Sequence, residues 1–156
     1  MKPAPNLKEI YTEYGTMVYN LALSYVQNRE EAEEITQDVF LQVHFKLNTF
    51  KGTSSLSTWI YRIGINKSLD FIKAKKRKKR FAMLTSLFYD DSNTVKHDAE
   101  GFDHPGVKLE QKEAMERLFM HINQLPDKQK TALILTKIEN KTHNEAGEIM
   151  ELSSKA

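Results

Sequence analysis

Residues 28–47 read NREEAEEITQDVFLQVHFKL, and this stretch decides the fold class. Asn28 stands where a helix cap belongs. Glu30, Glu31, Glu33 and Glu34 fill the following turns, where carboxylates suit the positive end of a helix dipole. Ala32, Ile35, Val39, Val43 and Leu47 then recur at three- and four-residue spacing, which predicts a helix over about Arg29–Leu47. Phe40, Leu41 and Phe45 widen its apolar surface beyond one stripe. Upstream, Leu7, Ile10, Tyr11, Tyr14, Val18, Leu21, Ala22 and Tyr25 mark a helix face over about Leu7–Val26, with Asn6 and Glu9 as a capping box. Downstream, Gly52 and the hydroxyls of Thr53, Ser54 and Ser55 read as a loop. Ser55 or Ser57 caps a third helix from Leu56 into the seventies, with Leu56, Trp59, Ile60, Ile63 and Ile72 turned inward. That helix runs into residues 73–80, where seven of eight side chains are basic.

From about Ala82 to Gly106 the periodicity dissolves, and acids outnumber bases. A loop of this length is unusual inside a compact domain, so the stretch reads as a linker. Leu84, Leu87, Phe88 and Tyr89 are its candidates to dock on a neighbour or a partner. Beyond it, Ala114, Met115, Leu118, Phe119 and Ile122 have helical spacing. Pro126 starts a further helix to about Glu139, and Thr142 with Glu145 caps a short one ending near Met150. No segment alternates with period two. The sequence therefore predicts an all-α protein of two small helical modules, residues 1–81 and 107–156, joined by a flexible acidic linker, residues 82–106.

The 156 residues are 40% hydrophobic and 28% charged, with no cysteine, which excludes a disulfide scaffold and a thiol nucleophile. No apolar run approaches the roughly 20 residues that span a bilayer. No hydrophobic stretch follows the first residues, so a cytoplasmic protein without membrane insertion is expected. The net charge of +2 conceals an asymmetry: residues 1–81 carry +6 and residues 82–156 carry −4. Such halves suit different partners.

Three constellations could carry function. The basic run extends a helix that also bears Trp59, Tyr61, Arg62, Asn66 and Lys67. Cations neutralise phosphates, and aromatic rings give unpaired bases a face to stack on. The helix thus reads either as a single-strand binding surface or as a solvated helix end with Trp59 in the core. The outer face of residues 34–43 is either a solvated acidic face or a partner surface bearing Gln37, Asp38, Leu41 and Gln42. The capped helix and turn at the end of the chain read as the start of a helix-turn-helix or as an ordinary hairpin. His97, Asp98, Asp103 and His104 admit a remote reading as a metal-dependent hydrolase, but no pair has closed-site spacing. No phosphate loop or nucleophile elbow is present. Neither catalysis nor a cofactor is expected.

Several strings together resemble region 2 of bacterial RNA polymerase sigma factors, closest to the extracytoplasmic function (ECF, group 4) type. They are Tyr14-Gly15, the run Ala32 to Phe40, Phe50-Lys51-Gly52, and Thr58-Trp59-Ile60-Tyr61-Arg62-Ile63 through Asn66. Residues 109–156 resemble region 4 through Leu125-Pro126-Asp127-Lys128-Gln129-Lys130 and Glu145 to Ser153. The resemblance implies an initiation factor without catalytic activity, with core RNA polymerase (clamp helices and flap), the single-stranded −10 element of promoter DNA and an anti-sigma factor as partners. It places Glu34, Gln37, Asp38, Leu41 and Gln42 against polymerase. It places Phe50, Lys51, Ser54, Ser55, Trp59, Arg62, Asn66, Lys67, Lys75, Lys76 and Lys79 against DNA. It makes Asn144, Glu145, Glu148, Ser153 and Lys155 a partial helix-turn-helix. The family continues past Ala156 into a recognition helix, so weak or absent −35 recognition is expected. An alternative is a degenerate sigma-like protein that binds polymerase or an anti-sigma factor without initiating.

Overall fold

The computed structural model describes residues 5–88 and 111–152, and among these every regular element is helical. Helix α1 spans Leu7–Val26, with the Asn6–Glu9 capping box formed in both directions. Gln27, in the left-handed region at φ 51°, turns the chain through a two-residue corner. Asn28 then accepts from the Glu31 amide and opens α2, Arg29–Lys46. A single tight turn, Leu47–Thr49, ends α2, and α3 runs from Leu56 to Phe88.

These three helices form a bundle. Ile10, Val18, Leu21 and Tyr25 from α1 meet Ile35, Val39 and Val43 from α2 and Ile60 and Ile63 from α3. Gly64 lies buried where α3 packs on Leu21 of α1. Tyr11, expected on the inner stripe, is exposed and packs edge-on against Phe40 at 4.8 Å. Leu41 and Phe45, which widened the apolar surface of α2, point to solvent.

Helix α3 continues past the expected boundary at residue 81. Residues 81–88 contain neither Gly nor Pro, so the backbone has no reason to stop there. Phe81, Met83, Leu84, Leu87 and Phe88 remain exposed along it. The rest of the expected linker lies outside the described residues, with His97, Asp98, Asp103 and His104.

In the C-terminal part, α4 spans Lys112–Asn123 and α5 spans Asp127–Leu133, entered through Pro126. A wide π-type turn, Ile134–Ile138, follows, with the Glu139 amide bonded to the Ile134 carbonyl at 2.9 Å. Helix α6, His143–Ile149, starts at the Thr142–Glu145 capping box. The two modules do not keep separate cores. Ile134, Leu135, Ala146 and Ile149 belong to the buried cluster of the N-terminal bundle, and α6 packs on α3. Short amphipathic helices cannot cover their own apolar faces, so burial against the bundle is the available solution. A small second cluster, Phe119 and Ile122 with Met115, Leu133 and Ile138, holds α4 to α5 and the π-type turn.

Candidate functional site

Helix α2 buries Ala32, Ile35, Thr36, Val39, Phe40 and Val43 and leaves Glu34, Gln37, Asp38 and Leu41 exposed, with Gln42 half-buried. Leu41 and Phe45 are 56% and 72% exposed. Apolar side chains so exposed beside Gln37 and Asp38 cost solvation while nothing covers them. The candidate partner face is therefore one continuous strip of α2.

The second candidate surface begins at the loop before α3. Phe50 is half-buried and tilts against Trp59 with ring centroids 5.1 Å apart. Trp59 is half-buried too, so its ring packs on the bundle and still offers an edge. Ser55 Oγ caps α3 by accepting from the Thr58 amide at 3.1 Å and donates to Thr58 Oγ1. Lys51 and Asn66 are exposed, whereas Ser54 and Lys67 are half-buried. Lys75 is ion-paired with Glu31 at 2.6 Å, while Lys76 and Lys79 are exposed further along the helix. Helix α3 thus carries Trp59 near its start and cations towards its end, with Lys75 and Lys79 on the side away from Trp59.

Arg62 departs from the expected pattern. Its guanidinium reaches the C-terminal end of α6, donating to the Ile149 carbonyl at 3.0 Å and the Glu148 carbonyl at 2.6 Å. It also approaches Glu151 at 3.4 Å. A cation there satisfies carbonyls that have no partner in the helix and opposes the negative end of its dipole. Arg62 therefore serves as a clasp between α3 and α6 in this arrangement. Asn144, Glu145 and Glu148 are exposed on α6, with the Glu145 carboxylate held by the Thr142 amide. Ser153 and Lys155 lie outside the described residues.

The clasp extends through groups that sequence reading missed. Tyr61 donates its hydroxyl to Glu139 at 3.1 Å, and Tyr25 shares a hydrogen bond with Thr131 at 2.7 Å. Lys130, only 4% exposed, donates to the Tyr25 carbonyl at 3.3 Å and lies 5.2 Å from the centre of the Tyr25 ring. Burial, reinforced by the positive charge of Lys76, pulls the Lys130 ammonium down from 10.5 to about 8, with Asp127 acting in the opposite sense. Burial raises both tyrosines well above their ordinary 10.0. The sign of the linkage follows. Below pH 8 Lys130 is charged in the folded and unfolded chain, and its desolvation cost is felt in full. Between pH 8 and 10.5 only the unfolded chain keeps that proton, so stability rises with pH. Above pH 10 the unfolded tyrosines ionise before the folded ones. The folded tyrosines then hold protons that the unfolded ones have released, so on their account stability falls as pH climbs above 10.

A group whose folded-state pKa is raised contributes stability below its unfolded value and loses it as pH climbs through the folded one. Both tyrosines therefore begin to lose their contribution above pH 10, while Lys130 stops gaining at 10.5. Urea unfolding should accordingly show greatest stability between about pH 9 and 10. The rise from neutral pH is at most about 3 kcal/mol, and Lys130→Met should flatten it.

Among the described residues no group of His, Asp and Glu is placed to hold a metal ion, and no helix is long and apolar enough to cross a membrane.

With this geometry in place, comparison with known proteins decides the family. Residues 10–78 match the Sigma-70 region 2 family, a span that covers most of α1, all of α2 and the first two-thirds of α3. The chain is 29% identical over 148 residues to RNA polymerase sigma-H factor of Pseudomonas aeruginosa, covering 89% of this chain and 72% of that one. It is 27% identical to the ECF RNA polymerase sigma factor SigW of Bacillus subtilis, covering 92% and 76%. Residues 10–78 thus carry a Sigma-70 region 2 domain, and the chain is similar to ECF sigma factors along most of its length. The fold agrees. A structure of the sigma factor RpoE in complex with the anti-sigma factor NepR from Bartonella quintana superposes with TM-score 0.60 at 18% identity, covering 94% of this chain and 83% of that one. A structure of CnrH in complex with the cytosolic domain of CnrY gives TM-score 0.62 at 17% identity, covering 96% and 75%. The matched span contains the α2 strip, Arg62 and the second surface as far as Lys76, and Lys79 lies just past its end.

Proposed function

We propose that this chain acts as a sigma factor in the cytoplasm: it binds core RNA polymerase and directs promoter recognition, −10 strand opening and transcription initiation. It has no catalytic activity of its own. The exposed strip of α2, Glu34, Gln37, Asp38, Leu41 and Gln42, docks on the clamp helices. The loop from Phe50 to Ser55, with Trp59, Asn66 and Lys67, holds the separated strand, and Lys75, Lys76 and Lys79 meet its phosphates. Arg62 joins this set once α6 releases it. The observation that carries the reading is the coincidence of the region 2 match with the uncovered Leu41 and Phe45 on α2. A neighbour of this fold, the sigma factor RpoE, is in complex with the anti-sigma factor NepR, and an anti-sigma partner is proposed here as well.

Run-off transcription with core polymerase and a promoter library tests the proposal, with a discrete transcript as the expected result. One observation favours a second reading. Arg62 is already engaged by α6, and a protein locked in that state would bind polymerase without initiating. Core binding with no transcript supports this degenerate form.

Replacing Lys75, Lys76, Lys78 and Lys79 together with Gln should flatten the salt dependence of single-strand binding by about 0.7 in log–log slope for each phosphate no longer neutralised. Anisotropy titrations of an unpaired promoter oligonucleotide at several salt concentrations measure this. An unchanged slope removes the run from the interface.

A further inference from the structure

Two rows of side chains share one spacing. On α2, Glu34, Asp38, Leu41 and Phe45 follow one another at four, three and four residues. On α3, Arg77, Phe81, Leu84 and Phe88 do the same. Every member of both rows is exposed. This spacing keeps each row on one face of its helix, and it is the spacing of a two-stranded coiled-coil seam. Each row is about 16 Å long at 1.5 Å per residue. Laid parallel, the rows match in charge and character: Glu34 meets Arg77, Leu41 meets Leu84 and Phe45 meets Phe88. Asp38 falls opposite Phe81, beside Arg77 and Arg80. Met83 and Leu87 widen the apolar patch at the end of α3. Exposed apolar rows of this kind cost solvation, and residues 81–88 pack on no core that would hold them helical.

The two rows cannot meet within one chain. Phe50 lies against Trp59 and Lys75 is bonded to Glu31, so α2 and α3 run antiparallel, and residues 76–88 of α3 reach past the start of α2. We propose that a second copy of this chain supplies the missing partner: the α2 row of one copy docks in parallel on the α3 row of the other. A two-fold axis perpendicular to α3, near the Lys75–Glu31 pair, places each α3 extension alongside the other copy's α2. The contact then forms twice and closes a dimer. Acid and base fix the parallel register, because the antiparallel one sets Glu34 against Phe88 and Arg77 against Phe45. The dimer covers the α2 strip assigned above to polymerase, so it is a form held back from transcription. That consequence rests on the docking reading, whereas the dimer itself does not.

Sedimentation equilibrium of the full chain at low salt tests the proposal. The average mass should climb from the 18.1 kDa monomer toward twice that value over the micromolar range. Leu84→Glu and Leu41→Glu should each stay monomeric there, with dimer affinity lowered about a hundredfold or more. Both side chains are exposed, so melting curves should stay near the parent's and separate lost pairing from a lost fold. A dimer that survives Leu41→Glu pairs through α3 alone, and one that survives Leu84→Glu pairs without the extension; either result overturns the proposal. Arg77→Glu and Glu34→Arg should each weaken the dimer about tenfold, and the double variant should regain most of that loss. A double variant as weak as the singles overturns the parallel register, and a parent monomeric at every concentration overturns the dimer outright. Leu84→Glu, measured separately with core polymerase, should bind as the parent monomer does. Failure there refutes the docking strip and leaves the dimer standing.

Discussion

Gly64→Val is expected to lower the thermal midpoint by more than 10 °C, a larger loss of stability than any other substitution proposed for this protein. Gly64 is buried on α3, and a Cβ built on it falls 2.9 Å from Cδ2 of Leu21. Leu21 is 0% exposed and packed within the bundle core, so it has no open direction to retreat into. Two effects compete. A glycine inside a helix costs about 1 kcal/mol relative to alanine, so any side chain gains propensity. Overpacking a filled core costs about 1–3 kcal/mol for a modest excess, and more for a branched side chain. For Gly64→Ala the terms nearly offset, leaving a net loss of about 1 kcal/mol. Valine adds two methyl groups at the point of closest approach, and the steric term wins by about 3 kcal/mol or more. Circular dichroism melts of both variants check the order. A valine variant as stable as the alanine variant means that α1 and α3 can move apart at this point.

Asp38→Arg is expected to weaken binding to core RNA polymerase by about a hundredfold or more while leaving the melting curve within about 0.5 kcal/mol of the parent. The two halves of the prediction rest on different links. Asp38 is exposed on α2, so the fold has no use for its charge. The proposed docking strip does use it, because reversing a charge at an interface replaces attraction with repulsion worth several kcal/mol. Paired affinity and stability measurements separate a surface effect from a folding defect. Equal affinity in parent and variant takes the α2 strip out of the interface.

Locally encoded features were legible in the sequence. Asn6, Asn28 and Thr142 cap helices through bonds that close within three residues, so their spacing alone announces them. The inner stripes of α1 and α2 followed from periodicity, except at Tyr11, where an edge contact with Phe40 replaces burial. The length of α3 was hidden because residues 81–88 face no core, so no apolar stripe marks them as helix. The meeting of the modules was hidden for another reason. Arg62 and Ile149 are 87 residues apart, and Tyr25 and Lys130 are 105 apart. No spacing rule connects such pairs: Arg62 read alone as part of a nucleic-acid surface, and the others as ordinary surface or core residues. On α2, periodicity alone puts Gln37, Asp38 and Leu41 on the outer face, where the structure has them.

The wide turn at Ile134–Ile138 holds one residue more per loop of chain than the helix leading into it. Were the same five residues wound as ordinary α-helix, everything after them would rotate by roughly a quarter-turn. Glu139 would swing off Tyr61, and the carbonyls that receive Arg62 would face elsewhere. The grip of one half of this molecule on the other is therefore a matter of winding as much as of chemistry, and rewinding one turn would release it with every side chain of the clasp intact.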